Sequence, residues 1–203
     1  MKHLLSKFRI FFSFFFCSFL SLSFFAQAQS NVFYNWAKGI GNYASSNISN
    51  SIAVDASKNI YVTGRFYGTT DFDPGTGIAD LTANSSYGIF FAKYDSSGNY
   101  IWAKSIDAYG VDRGTGIAVD GTGNVYITGY FAGTADFDPG SGTADLYGIG
   151  DNIFFAKYDN NGNYIWAKSI GGSYNDIGTS IVIDNSGNVY ITGYFQGATD
   201  FNP

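Results

Sequence analysis

The chain is poor in the residues that carry most enzyme chemistry. It has 203 residues with one His, one Cys, one Met and no Glu, because all sixteen acidic residues are Asp. His3, Cys17 and Met1 lie within the first 28 residues. The sequence after residue 28 therefore excludes a disulfide framework, a thiol nucleophile and a Ser/His/Asp triad. It also lacks the usual zinc, haem and iron–sulfur ligands.

Positive charge is scarce as well. After residue 28, eight Lys and Arg side chains stand against sixteen Asp, which gives a net charge of −8. Affinity for phosphate backbones comes mainly from clustered Lys and Arg, so this balance argues against a nucleic-acid partner. The chemistry that remains is that of Asp, hydroxyl, amide and backbone oxygens, together with many aromatic rings.

The first 28 residues have the pattern of an export signal. A basic start precedes an apolar stretch at residues 10–25, and the segment ends in Ala26-Gln27-Ala28. The apolar stretch contains four Ser and is shorter than the roughly 20 residues that a membrane crossing needs. We expect residues 1–28 to be a cleaved signal peptide and the mature chain, without a membrane span, to begin near Gln29.

Internal repetition is the strongest pattern in the sequence. Residues 89–106 recur as residues 153–170 with two differences. Three further motifs recur about every 64 residues. Trp-Ala-Lys begins at Trp36, Trp102 and Trp166, and Thr-Gly begins at Thr63, Thr128 and Thr192. Asp-Phe-Asp/Asn-Pro begins at Asp71, Asp136 and Asp200. The chain is therefore built by duplication of one unit.

One unit contains four segments rich in β-branched and aromatic residues, which favour strands. They are residues 117–120, 125–131, 153–159 and 164–170. Asp-x-x-Gly-Asn turns join the first segment to the second and the third to the fourth. We expect an all-β chain of four-stranded antiparallel meanders, which is typical of β-propeller blades. Trp102 and Trp166 would then pack between neighbouring blades.

The turn and the strand after it resemble a known repeat. Asp120–Phe131 and Asp184–Phe195 share the pattern Asp-x-x-Gly-Asn-Val/Ile-Tyr-Ile/Val-Thr-Gly-Tyr-Phe, and Asp55–Phe66 matches it more loosely, with Lys58 in place of Gly and Arg65 in place of Tyr. This pattern resembles the SBBP β-propeller repeat of bacterial secreted and cell-surface proteins. The resemblance implies a propeller that is secreted or displayed on the bacterial cell surface, and it implies no settled activity.

The order of the predicted strands divides the chain after the signal peptide into an incomplete propeller region, residues 29–203. We expect an outer strand of a latching blade at 31–40, blades at 41–106 and 107–170, and half a blade at 171–203. About two and a half blades cannot close a ring of the usual 4–8. We therefore expect a truncated piece of a longer protein whose remaining blades cover the ends, or alternatively one part of an oligomeric ring.

The meander predicts which face carries function. Short Asp-x-x-Gly-Asn hairpins lie on one face, and the connections at 132–152 and 171–179 lie on the other. Long irregular connections on a rigid scaffold tend to carry function. On that face, Tyr67 and Tyr147 are candidates for stacking on sugar rings.

Repeated Asp pairs are the candidate metal ligands. They belong to Asp-Phe-Asp-Pro-Gly at residues 71–75 and 136–140. The four carboxylates that would suit Ca²⁺ are Asp71, Asp73, Asp136 and Asp138. Their spacing does not match an EF-hand loop. In the alternative interpretation, Asp and Pro form a turn while Phe72 and Phe137 pack into the blade. We expect no other cofactor.

The sequence favours a non-catalytic scaffold that binds protein or glycan. An Asp-based glycoside hydrolase and a calcium-binding structural propeller are the alternatives. Catalysis is disfavoured because the acidic positions recur in each unit rather than once. Arg65 and Arg113 are the two Arg residues after residue 28, too few for a triple guanidinium clamp on a sialic-acid carboxylate.

Overall fold

Eleven β-strands make up the part of the chain that the computed structural model describes, which is residues 36–41, 46–106, 110–201 and 203. These residues belong to one compact unit, Trp36–Pro203. The predicted signal peptide and residues 31–35 of the predicted latching strand lie outside them. Within the described ranges, no helix is long and apolar enough to cross a membrane. The predicted all-β fold class is confirmed.

The first sheet is a four-stranded antiparallel meander in the order β1-β2-β3-β4. Its strands are β1 (Ile48–Val54), β2 (Ile60–Asp71), β3 (Asp80–Tyr94) and β4 (Tyr100–Ile106). Because each strand pairs with the next one in sequence, the sheet has the connectivity of a propeller blade.

The second sheet repeats this meander, and a third unit begins after it. The strands of the second sheet are β5 (Arg113–Val119), β6 (Val125–Asp136), β7 (Asp145–Tyr158) and β8 (Tyr164–Gly172). The third unit contributes β9 (Ile177–Ile183), β10 (Val189–Tyr194) and β11 (Thr199–Asp200). β9 pairs with β10, whereas β11 pairs with β8 at the edge of the second sheet. The described sheets do not close into a ring.

The prediction of long irregular connections is wrong. Most of residues 132–152 is strand, because β6 continues to Asp136 and β7 begins at Asp145. The connection predicted at 171–179 shrinks to residues 173–176 for the same reason. Gly133 adopts a positive φ of 72°, and the register shifts at this point. Such a bulge bends the strand pair without ending it, so each sheet extends into a two-stranded arm.

Neighbouring sheets bury their apolar faces against each other. The ring of Phe91 on β3 lies 4.3 Å, centroid to centroid, from the ring of Tyr158 on β7. Both side chains are fully buried within one core cluster that draws on both sheets. Burial of this apolar surface is the main stabilising contribution of the stack.

The tryptophans mark the outer edge of this interface. The indole N–H of Trp102 on β4 donates to the carbonyl oxygen of Asn160, in the β7–β8 hairpin, at 3.1 Å. Trp36 makes the equivalent bond to Ser96 in the β3–β4 hairpin at 3.3 Å. Trp102 thus lies between blades as predicted, and Trp36 occupies the corresponding place on the first sheet. Trp166 contacts Tyr126 and Phe155 of its own sheet.

Close backbone approach explains the repeated Thr-Gly pair. The hydroxyls of Thr63 and Thr128 each donate to a carbonyl oxygen of the neighbouring strand at 2.7 Å. A Cβ on Gly64 or Gly129 would overlap a backbone carbonyl oxygen of the adjacent strand, that of Ile48 or Arg113 respectively. The motif therefore recurs for structural reasons.

We expect Gly129→Ala to destabilise the protein by at least about 2 kcal/mol, because the added methyl group overpacks against backbone that cannot move away. Gly121→Ala is the matched control, since a Cβ there has no atom within 4 Å. The free energy of unfolding in urea, followed by circular dichroism, measures both changes. Equal stabilities of the two variants would contradict this explanation of the motif.

Candidate functional site

One end of the stacked sheets carries the two-stranded arms, and we call it the loop face. It consists of the two arms, which pair residues 65–71 with 80–89 and residues 130–136 with 145–153, of their turns at residues 72–79 and 137–144, and of the connections at 110–112 and 173–176. The Asp-x-x-Gly-Asn hairpins lie at the opposite end, because consecutive strands are antiparallel. Function is best sought on the loop face, because the opposite end consists of short hairpins with a structural role.

The hairpin carboxylates are occupied by their own turns. Each hairpin carboxylate accepts hydrogen bonds from the backbone N–H and the side-chain amide of the Asn four residues later. The five residues are Asp55, Asp95, Asp120, Asp159 and Asp184. Burial would raise the pKa of Asp120, but hydrogen bonds from Thr122 and Asn124 outweigh it and hold this pKa at about 2. These ionised carboxylates therefore stabilise the turns.

The Asp pairs of the first arm also bind backbone groups. One carboxylate oxygen of Asp71 accepts the N–H groups of Asp73 and Ala79, both at 2.9 Å. Asp73 in turn accepts the N–H of Gly75 at 2.7 Å. The side chain of Phe72 between them is fully buried, as the turn interpretation predicts. The carboxylates thus close the turn at the tip of the arm.

The second arm repeats this arrangement. Asp136 accepts the N–H groups of Asp138 at 2.9 Å and Ala144 at 2.8 Å, and Asp138 accepts that of Gly140 at 2.8 Å. Phe137 is fully buried. Among the described residues, no group of three or more His, Cys, Asp or Glu side chains could hold a metal ion. Calcium binding by the four Asp stays a prediction that these contacts do not favour.

Arg65, Tyr67 and Tyr87 form a compact group on the first arm, which we call the tyrosine cluster. The ring centroids of Tyr67 and Tyr87 lie 5.5 Å apart, and the two residues are direct partners across β2 and β3. The guanidinium carbon of Arg65 lies 4.4 Å from the centroid of the Tyr87 ring. Tyr67 is exposed, as predicted. The cluster presents aromatic and cationic surface together.

Backbone contacts hold the tyrosine cluster at the junction of the first two sheets. The carbonyl oxygen of Tyr87 accepts the N–H of Asp112 at 3.3 Å, and Tyr87 forms a parallel bridge with Val111. The Nε atom of Arg65 is buried and has no hydrogen-bond partner within the described part of the chain. One polar group in this cluster is therefore not used by the fold.

The sequence predicted Tyr67 but missed its two neighbours. Arg65 replaces the Tyr that the repeat carries at Tyr130 and Tyr194, and this departure from the repeat was the available signal. Tyr87 could not be found in this way, because its proximity depends on the strand register. Tyr147, the other predicted aromatic, is exposed on the second arm opposite Thr134.

Two buried carboxylates anchor the connections between units, and the sequence did not reveal them. Asp176 accepts the N–H groups of Gly172 at 2.8 Å and Gln196 at 3.0 Å, and the hydroxyl of Thr199 at 3.1 Å. Asp112 accepts the N–H of Ala132 at 3.2 Å. Because these bonds tie each connection to a strand of the unit that follows, both residues have a structural role.

Comparison with known proteins agrees with the architecture. Residues 165–202 match a family described as the SBBP β-propeller repeat. The sequence is 30% identical to an uncharacterized WD repeat-containing protein of Acanthamoeba polyphaga mimivirus, in an alignment of 188 residues that covers 81% of the chain. The match covers 14% of that protein, so the chain spans a small part of its length. The matched repeat and the four-stranded antiparallel sheets together indicate a chain built from β-propeller repeats.

We expect the hairpin carboxylates to make stability pH-dependent. The pKa of Asp120 is lower in the folded protein than its ordinary value of 3.8, so its contribution is complete above that value. The contribution is lost as the pH falls towards about 2. The thermal unfolding midpoint should therefore be flat from about pH 6 to 5 and should fall below about pH 4.

Asp120→Asn is the variant that checks this assignment, because its side chain does not titrate. Its unfolding midpoint should fall less steeply with acid than that of the original chain. Identical slopes in the two proteins would show that the Asp120 turn does not contribute.

Proposed function

We propose that the protein is an exported, non-catalytic β-propeller scaffold that binds a glycan or protein partner through its loop face. The tyrosine cluster is the observation that carries this proposal. It places an exposed aromatic ring, a second ring and a guanidinium group on two paired strands. Ligand sites typically combine aromatic surface with a few oriented polar groups.

A glycan is the partner that the cluster favours. The apolar C–H face of a sugar ring can pack on the exposed ring of Tyr67. The guanidinium group of Arg65 supplies N–H donors for hydroxyl or carboxylate oxygens. Since Tyr67 and Tyr87 are fixed in register on β2 and β3, little conformational entropy is lost when a ligand binds.

The proposal also states that the protein does not catalyse a reaction. A glycosidase would need two carboxylates facing one scissile bond, one of them with a raised pKa. The Asp pairs of the two arms instead accept backbone N–H groups within their own turns, as at Asp71 and Asp136. This use of the carboxylates supports a binding role over hydrolysis.

Export is the other part of the proposal, and N-terminal sequencing tests it. We expect a bacterial host to export the 203-residue chain and to remove residues 1–28, so that the protein begins at Gln29. Ala28→Leu should block this processing, because signal peptidase accepts small residues there. A cytoplasmic chain that still begins at Met1 would contradict export.

We expect Tyr67→Ala to raise the Kd for a glycan found by array screening about tenfold, which corresponds to about 1.4 kcal/mol. Tyr147→Ala is the matched control, because it removes an exposed ring from the other arm. Isothermal titration of the original chain and both variants gives the three constants.

Two results would contradict the glycan proposal. One is equal loss in the Tyr67→Ala and Tyr147→Ala variants, which would show that the cluster is not the site. The other is that no glycan on the array binds the protein. If the protein then captures a specific cell-surface protein, that result supports a protein partner. If it captures none, the proposed binding role is wrong.

A further inference from the structure

The first unit has an uncovered face, which we call the head face because it points away from the second unit. Ile52 on β1 shows this most clearly, since 65% of its surface is exposed. The equivalent residues of the next two units, Ile117 and Ile181, are only 6% and 4% exposed. Each of these has a preceding sheet packed against it, whereas residues 36–41 are the only described part of a preceding unit on the face that carries Ile52.

The third unit has the opposite uncovered face, which we call the tail face. Tyr190 on β10 is 54% exposed, although the equivalent Tyr61 and Tyr126 are 0% and 2% exposed. Val182 on β9 is exposed beside it. The two ends of the stack therefore present the two halves of the same interface.

The chain already shows how these faces fit. At the first interface, the side-chain amide of Asn50 donates to the carbonyl oxygen of Gly114 at 2.7 Å. At the second interface, the hydroxyl of Thr115 donates to the carbonyl oxygen of Gly178 at 2.6 Å. Asn50 and Thr115 occupy equivalent positions in the first and second units, and Thr179 is the equivalent residue of the third unit. The first-unit equivalent of the acceptors Gly114 and Gly178 is Ser49, whose carbonyl oxygen lies on the head face.

We propose that the tail face of one copy of this chain packs on the head face of a second copy. The contact would repeat the interface between the first and second units, with Tyr190 and Val182 of one copy against Ile52 of the other. The hydroxyl of Thr179 would donate to the carbonyl oxygen of Ser49. Burial of two exposed apolar faces drives the association.

The shapes of the two ends are consistent with this contact. On the first unit, a groove separates Trp36 and Ile40 at the outer edge from Ile52 and Val62 on β1 and β2. The third unit presents the two strands β9 and β10, which are the equivalents of β1 and β2. The inner strands of one copy can therefore enter the inner part of the groove of the other.

The association is head-to-tail, because the two faces differ from each other. Such a heterologous contact leaves one free head face and one free tail face on a dimer, so it continues into a ring or a chain of copies. Continuation into a ring or a chain of copies distinguishes the head-to-tail contact from a symmetric dimer, in which both copies use the same patch. It is independent of ligand binding on the loop face.

Complementation between two variants tests the proposal on the chain as it is recovered from its expression host. Ile52→Asp places a charge on the head face and Tyr190→Asp places one on the tail face. Light scattering after size-exclusion chromatography should give concentration-dependent assemblies for the original chain. Each variant alone should be a monomer, and their equimolar mixture should give a dimer.

The control is Ile78→Asp, because Ile78 is 82% exposed on an arm turn away from both faces. This variant should assemble like the original chain. Circular dichroism should show cooperative unfolding for all three variants, since each change is at an exposed position. Glycan binding by the Ile52→Asp variant should be unchanged, which keeps this proposal separate from the proposed function.

Three outcomes would overturn the proposal. The original chain could be a monomer at every concentration. Either end-face variant could still assemble alone, which would place the contact elsewhere. The equimolar mixture could also stay monomeric, which would show that the intact head face and the intact tail face do not bind each other.

Discussion

Packing of one four-stranded unit on the next is the constraint on which the rest of this structure depends. A single meander has two apolar faces and cannot bury both, so each unit relies on its neighbour. Phe91 and Tyr158 are the clearest case, because each ring is buried only where the two sheets meet. Trp102 and the buried Ile117 and Ile181 serve this contact, whereas the Thr-Gly pairs hold the strands together within each sheet.

The sequence was informative wherever a feature is local or repeated. The period of about 64 residues, the Asp-x-x-Gly-Asn hairpins and the order of four strands could all be read directly, since turn chemistry and alternation act over a few residues. Residues 132–152 were misjudged because their Gly, Ala and Thr residues look like a loop. They are held as strands by pairing across the arm, with Gly133 providing the bulge.

The candidate site was harder to predict than the fold, for a physical reason. Tyr67 could be named because it is aromatic and lies on the predicted face. Its partnership with Tyr87 depends on the register of β2 against β3 across an arm of irregular length. The burial of Asp112 and Asp176 depends likewise on strands that lie 20 or more residues away in sequence. A match to a repeat family indicates the order of the strands, but it does not give such contacts.

A double-mutant cycle on Phe91 and Tyr158 tests the central claim most directly. Replacing each ring by Ala, singly and together, and measuring the free energy of unfolding gives the coupling between the two sheets. Two residues in contact across a shared core should show a coupling energy of about 1 kcal/mol or more. Additive effects, with a coupling energy near zero, would mean that the sheets do not stabilise each other and would contradict the account.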